Sequence, residues 1–428
     1  MKLRDDLREA GGDLLVLSES PDKAFGRLKS IFEIKKLPPP NISWSRDYEP
    51  FARARDERMG QLFMSWGWET STERDHLVFE PHEIKSLQGT PYKVFTPFAK
   101  QWFQLLHSKE GQLRIAYQAA ALSMRRKQSG KKHFDLTWED LLKDQTPADH
   151  LDRFLRDNGA KVTVPIPAAG FDAAMRTLET FQGETQNYGE ARDMMAEEGT
   201  SKLSLFLKNG SITPLQVIAS LGLETETFSS DKGSTKFLKQ LAWRDFYYHI
   251  LWHFPFVEKE SFNANYRNLN WENDPELFEA WKAGKTGFPI VDAAMRQLSQ
   301  TGWMHNRARM VVASFLTKDL LIDWRWGENW FMNQLLDGDL APNNGGWQWA
   351  ASTGCDPQPY FRIFNPLRQS ERFDPNGDYI KRYVPELRNV SGKEIHNPGA
   401  PMRQKTGYPS EIVSHKAQAI RAQMLFKR

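Results

Sequence analysis

From about residue 168 to residue 428, apolar side chains recur at helical spacing, and no run alternates apolar with polar residues as a half-buried strand does. Most of the chain must therefore bury its apolar faces helix against helix. The opening hundred residues read differently. A helical pattern over 3–11 leads into Asp13, Leu14, Leu15, Val16 and Leu17, an apolar run closed by Ser18, Glu19, Ser20 and Pro21 that predicts a buried strand. A second helix is expected over 21–34, a strand at Asn41, Ile42, Ser43 and Trp44, and a helix from Pro50 to about Gly67. Such alternation predicts a doubly wound α/β unit with a parallel sheet. Residues 102–165 are polar and weakly patterned, which suits a connection with some helix. The expected divisions are an α/β domain over 1–105, a connection over 106–167 and a larger all-helical domain over 168–428.

A single cysteine, Cys355, excludes an internal disulfide and any four-cysteine iron–sulfur or zinc centre, and no metal site is expected. No apolar run is long enough to span a bilayer and no basic-then-apolar leader opens the chain, so a cytoplasmic protein without membrane partners is expected. Net charge is +3, from 57 Lys and Arg against 54 Asp and Glu, too balanced to announce a nucleic-acid binder. Distribution says more. Residues 381–428 hold ten Lys or Arg against three Glu, and Arg125, Arg126, Lys127, Lys131 and Lys132 form a second basic run. Such clusters attract phosphates through counterion release, although a solvated face has the same composition.

Four stretches carry chemistry. Asp337, Gly338 and Asp339, then Asn343, Asn344, Gly345, Gly346, Trp347, Gln348 and Trp349, then Pro359, Tyr360, Phe361 and Arg362 combine acids, amides and glycines that let a backbone approach a flat polar ligand. A buried tryptophan-rich turn would share that composition. Gly199, Thr200, Ser201, Lys202, Leu203 and Ser204 follow Tyr188, Arg192 and Asp193, and suit either a phosphate at a helix mouth or an ordinary cap. Gln240, Trp243, Arg244 and Tyr247 share one face of a helix expected over 237–254, and can stack on and hydrogen-bond a base, where a core indole is the plainer reading. A long helix expected over 302–323 carries Asn306, Arg307, Arg309 and Met310, residues that also serve as surface ion pairs and core packing.

The runs Thr286-Gly287-Phe288-Pro289-Ile290-Val291-Asp292-Ala293-Ala294-Met295-Arg296, Gly302-Trp303-Met304-His305-Asn306-Arg307 and Gly345-Gly346-Trp347-Gln348-Trp349 closely resemble the flavin-binding domain of the DNA photolyase and cryptochrome family. The resemblance is strongest to class I photolyases that repair cyclobutane pyrimidine dimers, and in weaker form it covers residues 3–425; the lone cysteine excludes the iron–sulfur branch. It implies an incomplete α/β domain followed by an all-helical FAD-binding domain, with FAD active as reduced FADH⁻ and UV-damaged DNA as partner. It implies FAD contacts at Tyr188, Thr200, Ser201, Lys202, Leu203, Ser204, Asn306, Arg309, Asp337, Gly338, Asp339 and Asn343, with Arg309 paired to Asp337 and Asn343 near the flavin N5. It implies lesion and DNA contacts at Arg192, Gln240, Trp243, Arg244, Tyr247, Asn306, Arg307, Met310 and Trp349, and catalytic roles for Asn343, Gln240 and Trp243. Trp271, Trp324 and Trp347 match the family's electron-transfer triad, with Trp347 innermost; among fifteen tryptophans, spacing alone would not single them out.

The implied activity is light-driven: excited reduced flavin gives an electron to a flipped-out dimer, the ring opens and the electron returns. Departures from the pattern bear on it. Gln240 stands where dimer photolyases usually carry glutamate; glutamine there is shared with (6-4) photolyases and animal cryptochromes, but Asn306 replaces the histidine usual in those relatives. The chain opens on what resembles the helix leading into the third strand, so part of the family's antenna site is missing and no antenna chromophore is assigned. It ends soon after Tyr408-Pro409-Ser410-Glu411-Ile412-Val413 without a low-complexity tail, which favours repair over a cryptochrome-type photoreceptor. A poorly folding flavoprotein damaged at its amino end is a further reading, and a monomer is expected.

Overall fold

The computed structural model describes residues 2–9, 11–17, 19–125, 153, 156, 157 and 163–427. Helices of eight or more residues are numbered in chain order. The first part runs α1 (Lys2–Glu9), α2 (Pro21–Ile34), β1 (Asn41–Ser45), α3 (Pro50–Ser65), β2 (Glu69–Glu73), α4 (Phe95–His107) and α5 (Lys109–Arg125). Then follow α6 (Phe171–Gln182), α7 (Pro214–Leu221), α8 (Gly233–His253), α9 (Pro275–Lys282), α10 (Pro289–Thr301), α11 (Asn306–Ser314), α12 (Trp324–Gln334), α13 (Leu340–Ala351), α14 (Pro366–Phe373) and α15 (His415–Phe426).

The sheet has two strands among the described residues, β1 and β2, paired in parallel with Asn41 opposite Glu69 and Ser45 opposite Glu73. Parallel strands need a crossover, and α3 supplies it. Met59, Phe63 and Trp68 are buried beneath this βαβ unit, a small core flanked by Phe25 and Trp44. The apolar run 13–17 forms no strand. A strand needs a neighbour for its backbone groups; here Asp13 is instead tied back to α1 through Arg4 at 2.7 Å and Arg8 at 3.2 Å, and residues 13–17 are only half-buried.

The expected boundary at 105/106 falls inside α4, which packs on α8, while α5 packs on α7. Phe98, Trp102 and Leu106 on α4 share one core with Leu238, Leu241 and Phe246 on α8. Asp245, buried on α8, joins these elements: it accepts from Trp102 Nε1 at 2.8 Å and from the backbone N–H groups of Val78 and Phe79 at 3.1 and 3.2 Å. From Arg126 onward the basic run at 125–132 lies outside the described residues, as does Val162.

The long helix expected over 302–323 is broken. Gly302 is left-handed (φ 65°) and closes α10, and α11 starts only at Asn306, where His305 accepts from Arg307 N. After Ser314 a π turn, Phe315–Asp319, widens the helix and ends it. A second core gathers Trp281, Trp324, Phe331 and Trp347 with Met295, Val312, Tyr379 and Tyr408. Gly327 on α12 makes this packing possible, because a Cβ there would lie 2.1 Å from the Trp347 ring.

Candidate flavin and DNA site

Asp337, Gly338 and Asp339 form the turn between α12 and α13. Asp337 is buried and receives Arg309 Nη2 at both oxygens, 3.0 and 2.9 Å, while Arg309 Nε donates to the Met304 carbonyl at 2.8 Å and is thereby aimed. Asp339 stands at the N-cap of α13 but makes no side-chain cap bond. Its carboxylate turns away from the helix to accept from the Tyr248 hydroxyl, with Arg244 Nη2 at 3.4 Å and Lys208 Nζ at 3.7 Å. Burial, strengthened by the nearby Arg244 charge, pushes His76 down to about 3, so its ring is neutral where Nε2 meets Tyr248 Oη at 2.5 Å.

Arg244 is expected from the resemblance to face DNA. In the structure its guanidinium is buried, donating to the His76 carbonyl and lying beside Asp339. The other residues of that helical face behave differently. Trp243 is half-buried and stacks on Phe95 at 3.6 Å and 8°, and Gln240 donates to the Lys236 carbonyl at 3.3 Å. Tyr247 fills the place of a missing side chain on α13, since a Cβ on Gly345 would lie 2.0 Å from its ring. Gly345 thus permits a helix contact, not the close ligand approach read from composition; Gly346 has nothing within 4 Å. The same α8–α13 pair carries Trp243 and, half-buried near Phe364, Trp349.

Asn343 donates to the Glu328 carbonyl at 3.1 Å, and Asn344 donates to Glu328 Oε1 and the Val257 carbonyl, both at 2.9 Å. Burial pushes Glu328 up to about 7, against the Asn344 bond. Glu328 is absent from the sequence reading, and Asn344 enters it only within the stretch 343–349 with no role assigned; the paired amide at 343–344 is the signal that points to them. Farther off, Leu203 N donates to Ser201 Oγ at 3.4 Å, and a five-residue helix, Ser204–Lys208, follows. Lys202 takes a positive φ of 53°, pairs with Glu198 and lies 5.4 Å from the Trp303 ring; Thr200 is half-buried. Tyr188 is buried against Phe181 and Phe237.

Arg192 and Arg307 converge on Asp193, at 3.8 and 2.9 Å. Asn306 is exposed, 3.9 Å from Met310 Sδ. Trp347 and Trp324 are buried and Trp271 is half-buried, its ring 5.9 Å from Phe426. Within the basic tail Arg403 donates to the carbonyls of Gly287, Pro398 and Pro409, and Arg421 pairs with Glu272, whereas Arg388, Lys393, Lys405, Lys416 and Lys427 are exposed.

Residues 1–115 match the family model described as DNA photolyase, and residues 237–428 match the FAD binding domain of DNA photolyase. The deoxyribodipyrimidine photo-lyase of Vibrio cholerae is 43% identical over 391 residues, 90% of this chain and 78% of its own length. This chain belongs to the DNA photolyase family. The Escherichia coli deoxyribodipyrimidine photo-lyase is 40% identical over 394 residues, 88% of this chain and 76% of the relative. A bacterial class III photolyase from Agrobacterium tumefaciens superposes with TM-score 0.79 at 35% identity, covering 99% of this chain and 85% of that one. A Synechocystis cryptochrome superposes at 0.76 with 25% identity, covering 99% and 86%. As a family member, the chain combines an α/β unit with a helical domain for FAD.

Proposed function

We propose that this photolyase-family chain splits cyclobutane pyrimidine dimers in UV-damaged DNA under blue or near-ultraviolet light. The observation that carries the reading is the buried Asp337, held by Arg309, beside an Asp339 turned out of its capping role. Two carboxylates that only accept, and a guanidinium that only donates, suit the polar edge of a flavin ring. Arg309, Asp337, Gly338, Asp339, Asn343 and Asn306 would hold the ring, and Tyr188 with the segment 200–204 the rest of FAD. When bound and reduced, the flavin supplies light absorption and the electron that opens the dimer's ring and is then recovered.

The chain's own residues do the remaining work. Trp243 and Trp349 offer ring faces to bases flipped from a helix already weakened by damage. Gln240 can donate to and accept from a base edge, and Met310 lines the pocket beside Asn306. Trp271, Trp324 and Trp347 would pass an electron inward. Arg244 belongs to the flavin side of this arrangement. The class I assignment rests on the sequence runs; the class III likeness leaves it a proposal. Among the described residues no helix is long and apolar enough to cross a membrane, and we place the enzyme in the cytoplasm, as a monomer.

The test is repair of an oligonucleotide bearing one thymine dimer by purified, photoreduced protein. Restored thymines in light and none in the dark are expected. No repair by protein that holds photoreducible flavin would overturn the substrate and favour a (6-4) lesion or signalling, in keeping with Gln240.

A further inference from the structure

Lys208 ends the short helix that follows the 200–204 segment, and it is half-buried between two acids from distant parts of the chain. Its Nζ lies 3.1 Å from Glu49 Oε1 and 3.7 Å from Asp339 Oδ1. Glu49 sits in the loop at the carboxyl end of β1, where open α/β sheets usually bind ligands. That loop reaches the helical domain: Tyr48 is buried, its hydroxyl donates to Glu80 Oε1 at 2.9 Å within the α/β unit, and its ring meets Tyr248 of the helical domain edge-on at 6.0 Å. Burial alone would push Lys208 down, but Asp339 and Glu49 outweigh it and hold the ammonium above its ordinary range.

An aspartate at an N-cap ordinarily accepts the free N–H groups of the first helical turn. Asp339 does not, so something else must outbid them. Tyr248 donates to its Oδ1, with Lys208 Nζ 3.7 Å from the same oxygen, and Arg244 Nη2 lies 3.4 Å from Oδ2, so Lys208 is the cation on the Oδ1 side. We infer that Lys208, held by Glu49, is a positioning residue for the flavin: it keeps Asp339 turned out of the capping geometry and toward the ring. The α/β unit thereby completes the cofactor site from outside the helical domain. This inference rests on the reading that Asp339 contacts the flavin.

The test follows FAD release from the full-chain holoprotein, read as rising flavin fluorescence, and needs no repair assay. Asp339→Asn should speed release strongly. Lys208→Met should speed it roughly tenfold in the native background but less than about twofold in the Asp339→Asn background, because the two act as a unit. Lys208→Arg should restore most of the native rate. If Lys208→Met acts equally in both backgrounds, its role is only structural and the inference is wrong. If Asp339→Asn leaves release unchanged, the underlying reading of Asp339 fails, and the inference with it.

Discussion

At the scale of single residues, the Arg309–Asp337 pair is unequal: the Asp337 side chain is 2% exposed, the Arg309 side chain 27%. Removing the cation strands a buried carboxylate, a loss on the order of 3 kcal/mol or more. Arg309→Met should therefore lower the urea midpoint and shed FAD at least tenfold faster. Arg309→Lys should recover only part, because one ammonium cannot reach Asp337 and also reproduce the Nε bond to the Met304 carbonyl. Unchanged retention in Arg309→Met would remove Arg309 from the site. Gln240 poses the opposite question. An amide can donate and accept but has no proton to give, so Gln240→Glu should raise the yield of dimer repair per absorbed photon severalfold. Equal yields in the two proteins would show that this position does not limit repair.

Among elements, the contact of α8 with α13 depends on Gly345. A methyl there would lie 2.0 Å from the Tyr247 ring, inside a packed interface, and overpacking of this kind costs roughly 1–3 kcal/mol. Gly345→Ala should lower the melting temperature by several degrees and speed FAD release, whereas Gly346→Ala, with nothing within 4 Å, should be silent. Equal effects from the two would contradict the packing argument. The same elements show what local pattern can carry. α2 and the start of β1 were readable to the residue, because Pro21 marks a first helical turn and Asn41 opens a strand of local character. The apolar run at 13–17 was not, since whether it pairs depends on a distant neighbour. The break at 302–305 was hidden because apolar spacing persists across Gly302, although a left-handed glycine is what ends α10. In the site, Arg309, Asp337 and Asp339 stand out through motif wording. Lys208 and Tyr248 meet Asp339, and His76 meets Tyr248, only through tertiary folding, which no spacing announces.

For the whole molecule, α15 is the element that closes the helical domain over its tryptophans. At one end His415 Nδ1 meets the fully buried Asp319 at 2.5 Å. At the other, Phe426 lies 5.9 Å from Trp271, stacks on Tyr360 at 6.1 Å and 5°, and has Lys318 Nζ 3.4 Å from its ring centre. The hydrogen bond to Asp319 holds His415 above its ordinary 6.5, while burial, opposed by that bond, pushes Asp319 up to about 6 from 3.8. Both shifts mean that the folded state binds protons more tightly than the unfolded state, so both lower stability as pH rises. Asp319 acts between 3.8 and about 6; the His415 contribution is complete below 6.5 and is lost as pH passes through its raised value. Amide exchange in α15 should therefore quicken, beyond the intrinsic pH effect, as pH is raised from 6.5, and acrylamide should quench Trp271 more readily. Measured as the difference from a Trp271→Phe control, that quenching should lose its pH dependence above 6.5 in His415→Asn. The same pH profile in His415→Asn would mean that α15 is held by its other contacts, Phe426 and the Arg421–Glu272 pair, with the histidine a bystander to its docking.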